Sequence, residues 1–154
     1  MLSLNNREII NNIIKFKHFP NLLLHGPPGT GKTTTIINLV NSFHNDEQKT
    51  QQLVIHLNAS DERGIDIIRN QIFSFVNSKS LFVDGIKIVI LDEVDYMTKC
   101  AQQALRHVLH QTSWRENVRF CLICNYVTKI DESLQNEFVR LRFNTLPENY
   151  TTML

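Results

Sequence analysis

The sequence predicts an α/β fold in which a parallel sheet is covered by helices on both faces, making three layers. Short apolar runs alternate along the chain with segments of helical periodicity. Several of those runs, Leu22–Leu24, Ile86–Leu91 and Arg119–Cys124, are apolar nearly throughout, as a strand buried on both sides requires. The first run leads straight into a glycine-bracketed loop and then into a helix-forming segment, the strand–loop–helix order of a phosphate-binding unit. At 154 residues the chain has the length of one domain with a substantial core.

The elements follow in order. Ile9, Ile10, Ile13 and Ile14 share one face of a helix over residues 4–17, which Pro20 stops. Leu22–Leu24 is the first strand. After the loop, Ile36, Ile37, Leu39, Val40 and Phe43 carry a helix to about Ser42, and polar residues 44–52 read as an exposed linker. Leu53–Leu57 is the second strand. The loop Asn58–Gly64 then opens a helix with Ile65, Ile68, Ile72, Phe75 and Val76. A turn at Asp84-Gly85 precedes the strand Ile86–Leu91. Helix 99–111 places Ala101, Ala104, Leu105, Val108 and Leu109 on one stripe; Arg119–Cys124 is the next strand and Leu141–Phe143 a last short one.

Composition excludes several function classes. The formal net charge is +1, so any contact with nucleic acid must come from a local patch or an assembly. No stretch is apolar enough to span a bilayer or act as a signal peptide, and three cysteines, an odd number, fit a reducing compartment, so the expected location is intracellular with no membrane partner. Cys121 and Cys124 lie three apart on a strand and point to opposite faces, so they read as core thiols. His107 and His110 have ligand-like spacing but no evident third partner.

The chemistry concentrates in Gly26-Pro27-Pro28-Gly29-Thr30-Gly31-Lys32-Thr33-Thr34. Gly29 and Gly31 let the backbone curl and aim several N–H groups at one anion. A helix starting near Lys32 adds its positive end, Lys32 reaches the outer phosphates, and the Thr33 hydroxyl ligates Mg²⁺. Asp92 and Glu93 end an apolar strand, where a parallel sheet binds its ligands. Asp92 then belongs to the Mg²⁺ shell and Glu93 orients or deprotonates an attacking water. Asn125, at the end of FCLICN, offers an amide beside that pair for the water or the γ-phosphate.

Taken together, GPPGTGKT, NASDERGIDIIR, KIVILDEVDYMT, AQQALRHVL and RFCLICNYVTKI resemble, in order and spacing, the nucleotide-binding domain of a replication factor C small subunit. That family forms the clamp loader, a branch of the AAA+ ATPases with the three-layer P-loop NTPase fold. The resemblance runs from about Arg7 to Leu146, with residues 1–146 as the nucleotide-binding domain and 147–154 as the start of a truncated lid or tail. It implies ATP and Mg²⁺ as ligands. The partners it implies are the other subunits of a hetero-oligomeric ring, a sliding clamp and primer–template DNA. The site would be nuclear in a eukaryote, and cytoplasmic or a viral replication site otherwise. It makes Lys32, Glu93 and Asn125 catalytic, and Arg63, Arg69 and Arg106 candidates for DNA phosphates, although on their own these arginines read as solvated surface charges.

The chain departs from the family pattern at identifiable places. A Ser-Arg-Cys motif should follow Leu134-Gln135, where Asn136-Glu137-Phe138 stands instead. The family's arginine there reaches a neighbour's γ-phosphate, and such a finger is worth ~10³–10⁵ in rate. Glu137 repels phosphate, so the expectation is that this chain does not activate its neighbour. His107 stands where the family usually carries a second arginine. The leading Glu-Lys-Tyr-Arg-Pro segment is absent and the sequence given ends at Leu154, where a helical lid should begin, so weak binding and slow hydrolysis are expected. One rival reading is a DExD-box helicase, from Asp92-Glu-Val-Asp95. The other is a truncated or degenerate structural relative that binds ATP without efficient hydrolysis or clamp loading.

Overall fold

Alternation along each strand decides how the layers form. Leu22, Leu24, Ile88, Ile90, Cys121 and Ile123 pack with Ile13, Ile36, Leu39 and Val40 in one buried cluster. Leu23, Val89, Leu91, Phe120, Leu122 and Cys124 pack with Ile68, Ile72, Leu105, Val108 and Leu109 in another. Successive side chains point to opposite faces, and both faces are apolar, so each must be covered. The computed structural model describes residues 4–78, 85–112 and 117–144. Asp84 of the expected turn and the expected segment 147–154 lie outside the described residues.

The strands are β1 (Leu22–His25), β2 (Val54–Asn58), β3 (Lys87–Asp92), β4 (Val118–Cys124) and β5 (Val139–Arg142), in the order β2-β3-β4-β1-β5. All four pairings are parallel. Helices α1 (Leu4–Phe16) and α2 (Lys32–His44) cover one face. The helices α4 (Ile65–Asn77), α5 (Lys99–Thr112) and α6 (Glu132–Gln135) cover the other. One-turn 3₁₀ segments, Val94–Tyr96 and Val127–Lys129, follow β3 and β4. This is the three-layer α/β fold, and its order brings the carboxyl ends of β3, β4 and β1 side by side.

The expected linker at 44–52 is corrected. His44 ends α2, and a further helix, α3 (Glu47–Leu53), begins two residues after Asn45. Asn45 leaves α2 in the left-handed region at φ 50°, donating its N–H to Asn41 O at 2.9 Å. Asp46 then caps α3, its carboxylate accepting from Gln48 N–H at 2.9 Å. Only Leu53 of α3 is buried, so the helix carries no apolar stripe to read. Because α3 takes Leu53, the second strand starts at Val54 and runs one residue past Leu57.

Two buried polar side chains tie the layers together. Lys87, 6% exposed, donates from Nζ to the carbonyls of Phe75 at 2.9 Å and Val76 at 3.2 Å, and also to Ser78 O. A strand lysine thereby satisfies carbonyls at the C-terminus of α4, where a cation also complements the helix dipole. His44 places Nε2 3.0 Å from Ile86 O, while its Nδ1 is buried without a partner. Burial lowers the pKa of His44, partly offset by that carbonyl. Cys121 and Cys124 fall in opposite clusters, as their spacing predicts, and burial raises the thiol of Cys124 to about 12.

Candidate functional site

The loop between β1 and α2 can be made only with glycine at its turns. Gly29 (φ 76°) and Gly31 (φ 87°) lie in the left-handed region, and Gly31 serves as the N-cap of α2. Gly31 offers no side-chain cap, so the first N–H groups of α2 are left for a ligand. Gly26 (φ 151°) has a second constraint: a Cβ there would stand 2.2 Å from Phe143 O. Phe143 N–H donates to His25 O at 2.7 Å, so the loop's first residue is pressed against the strand β5 exit.

Lys32 is 6% exposed and folds back over the loop, its Nζ donating to Gly26 O and Pro27 O at 2.7 Å each. The Thr30 hydroxyl donates to Pro27 O at 2.8 Å. Burial lowers the pKa of Lys32, and the nearby Asp92 and Asp95 carboxylates work against that shift. The ammonium is thus held at the loop by neutral carbonyls, weaker partners than a phosphate oxygen.

Across the pocket, Thr33 Oγ1 lies 3.3 Å from Asp92 Oδ2, a hydroxyl and a carboxylate side by side, a donor pair that suits a hard cation. Asp92 Oδ1 accepts from Glu93 N–H at 2.8 Å, and His56 Nε2 stands 3.7 Å from Asp92 Oδ2. Glu93 adopts φ 58°, a non-glycine residue in the left-handed region at the end of β3. Its Oε2 accepts from the Ser60 hydroxyl, which also lies 2.7 Å from Asn58 Oδ1. The single Ser60 proton serves one of these acceptors at a time. Residues 28–34, Asp92, Glu93, Ile123 and Asn125 line one open pocket of about 310 Å³. Sequence reasoning named Lys32, Thr33, Asp92, Glu93 and Asn125 separately, and the fold brings them together. Gly26 and Pro27 stand behind the loop as acceptors for Lys32.

Asp95 was missed. It is 8% exposed, and Oδ2 accepts from Asn125 N–H at 3.2 Å and Tyr126 N–H at 3.1 Å. Its Oδ1 is buried with no hydrogen-bond partner. The only sequence signal was its place three residues after Asp92, which does not disclose burial. Ser60, which holds Glu93, was likewise named only within a motif.

The arginines expected at DNA are each engaged with an acid of this chain. Arg63 grips Asp61, with Nη2 2.7 Å from Oδ2 and Nε 3.1 Å from Oδ1, and this pairing holds the Asp61 carboxyl down at about 2. Arg69 pairs with Asp66 at i,i+3, and Arg106 Nε lies 3.5 Å from Glu137 Oε1. Glu137 also takes a bond from His110 Nε2 at 2.9 Å, and these partners, His110 first, lower its pKa. Among the described residues no group of three His, Cys, Asp or Glu side chains is placed to hold a metal. No described helix is long and apolar enough to cross a membrane.

Residues 22–146 match the model of the ATPase family associated with various cellular activities, AAA. The chain is 48% identical over 146 residues to replication factor C subunit 5 of Homo sapiens, covering 93% of this chain and 42% of that protein. It is 46% identical over 145 residues to the replication factor C small subunit of Saccharolobus solfataricus, covering 92% of this chain and 43% of that one. The chain therefore spans about two-fifths of the length of the curated relatives it matches. The structure of C. elegans PCH-2 superposes with a TM-score of 0.69 at 19% identity, over 96% of this chain and 44% of that one, a likeness of fold.

Proposed function

Because the chain belongs to the AAA family of ATPases, we propose that it binds ATP with Mg²⁺ and hydrolyses it as part of a replication factor C-like clamp loader. Its partners are then the other subunits of the ring, a sliding clamp and primer–template DNA, in the nucleus if the cell is eukaryotic and otherwise in the cytoplasm or at a viral replication site. The similarity to replication factor C subunits over more than nine-tenths of the chain supports that assignment. One observation carries the site: Lys32, Thr33, Asp92, Glu93 and Asn125 converge on a single pocket at the carboxyl ends of three adjacent strands.

The residues present suit these ligands. The free N–H groups at the start of α2 and the turns at Gly29 and Gly31 cradle phosphates. Lys32 exchanges its two carbonyl partners for the outer phosphate oxygens, a stronger, charge-assisted bond. Thr33 Oγ1 and Asp92 Oδ2 are the pair to hold Mg²⁺. When bound, Mg²⁺ supplies positive charge that offsets negative charge on the transferring phosphoryl group. Glu93 accepts a proton from, or orients, the attacking water once its carboxylate is free of Ser60. Asn125 presents an amide that positions the water or the γ-phosphate.

Glu137 bears on the neighbouring subunit. It is spent within this chain on His110 and Arg106 and brings no positive charge to a partner's nucleotide. We therefore assign the chain to binding and hydrolysis at its own site, without a trans-acting cation from this position. Arg63, Arg69 and Arg106 would meet DNA phosphates while sharing their guanidinium donors with Asp61, Asp66 and Glu137, whose negative charge weakens each contact.

The test is ATP turnover by the chain together with replication factor C partner subunits, clamp and primed DNA. Stimulated turnover in the wild type that Glu93→Gln abolishes, while ATP binding persists, supports the reading. Turnover unchanged by Glu93→Gln overturns the assigned role of Glu93.

A further inference from the structure

Resting on the reading that this pocket hydrolyses a nucleoside triphosphate, we propose that Asp95 is a positioning residue for the reaction. Its buried carboxylate locks the exit of β4 to the exit of β3, so that the Asn125 carboxamide is held over the pocket beside Glu93.

Asn125 and Tyr126 are the first two residues past β4, where the ladder to β3 has already ended at Leu91–Leu122. Their N–H groups need other acceptors, and both find Asp95 Oδ2, at 3.2 and 3.1 Å. Asp95 itself stands three residues past Asp92, in the 3₁₀ turn that follows Glu93 at φ 58°. One carboxylate therefore fixes, relative to each other, the two strand ends that carry Glu93 and Asn125.

The second oxygen argues that this is more than a convenient turn. Oδ1 is buried and has no donor, which is costly for an ionised group. That cost is borne while Oδ2 stays on both N–H groups, so the bonds to Asn125 and Tyr126 are what hold the side chain in place.

A double-mutant cycle on the chain tests this, with single-turnover hydrolysis of radiolabelled ATP under enzyme excess and binding of a fluorescent ATP analogue measured separately. Asp95→Ala is expected to lower the hydrolysis rate about 10²-fold, the cost of misplacing a reacting group by about an ångström, with little change in analogue affinity. Asn125→Ala is expected to lose as much, and the double variant no more than either, because one residue acts through the other. Asp95→Asn, which keeps one acceptor for both N–H groups, should recover most of the loss. Additive losses, or Asp95→Ala hydrolysing at the wild-type rate well below its melting temperature, overturn the proposal. A second readout needs no turnover: the Asn125 side-chain amide resonances should shift on adding AMP-PNP in the wild type and Asp95→Asn, but not in Asp95→Ala. Equal shifts in all three overturn it. If the wild type itself hydrolyses nothing, even with partner subunits, the ATPase reading fails, and the resonance shifts alone decide the role of Asp95.

Discussion

Gly26→Ala separates packing from ligand chemistry inside one loop. The added Cβ would stand 2.2 Å from Phe143 O and 2.9 Å from Phe143 C, and both are backbone atoms that no side-chain rotation can move aside. Relief requires the β5 exit to withdraw, which strains the 2.7 Å bond from Phe143 N–H to His25 O. The φ of 151° adds a backbone cost, because side-chain-bearing residues rarely adopt it. Overpacking of about 1–3 kcal/mol and backbone strain of about 1–3 kcal/mol together predict a loss of about 2–6 kcal/mol. For a domain of this size that lowers Tm by roughly 5–20 °C. Gly29→Ala is the control: its φ of 76° is also unfavourable, but a Cβ there meets nothing within 4 Å. It should cost only about 1–2 kcal/mol. Thermal unfolding followed by circular dichroism reads both. Gly26→Ala melting within the range of Gly29→Ala would refute the claim that the loop's first residue is pinned by β5.

Other outcomes follow from buried polar groups. His44 has its pKa lowered by burial, so below its ordinary 6.5 the unfolded chain takes up a proton that the native state refuses. Stability should fall as pH drops through 6.5 towards the depressed native value, and urea titrations of His44→Gln should show a shallower decline over that window. Lys87→Met strands the carbonyls of Phe75, Val76 and Ser78 and should cost about 2–4 kcal/mol in urea unfolding, chiefly by loosening the end of α4. Glu137→Ala frees Arg106 and His110 and should not lower ATP turnover of an assembled ring. A fall in that turnover would show that Glu137 serves the neighbouring site.

The layers and the loop were legible because their causes are local. An apolar strand, glycines at forced turns and carboxylates at a strand's end each leave a pattern in the sequence. α3 left none: seven residues with one buried side chain are held by a cap at Asp46 and by short reach, not by periodicity. The pairing of Glu137 with Arg106 and His110 joins residues about thirty apart in the chain, and only the packing of α5 against α6 creates it. Asp95 was hidden for the opposite reason. An acid after a strand reads as solvated, and its burial depends on β3 and β4 ending side by side. The left-handed turn at Glu93 is likewise a consequence of the surrounding fold, since glutamate has no intrinsic preference for it.

The central claim is that this pocket grips the phosphates of ATP through Lys32 and a Thr33–Asp92 cation pair. Equilibrium binding of ATP with and without Mg²⁺ to the wild type, Lys32→Ala and Asp92→Asn tests it most directly. The account predicts Mg²⁺-dependent binding by the wild type, at least about tenfold weaker binding by Lys32→Ala for loss of one charge-assisted contact, and loss of the Mg²⁺ dependence in Asp92→Asn. Wild-type affinity in Lys32→Ala, or undiminished Mg²⁺ dependence in Asp92→Asn, would contradict it.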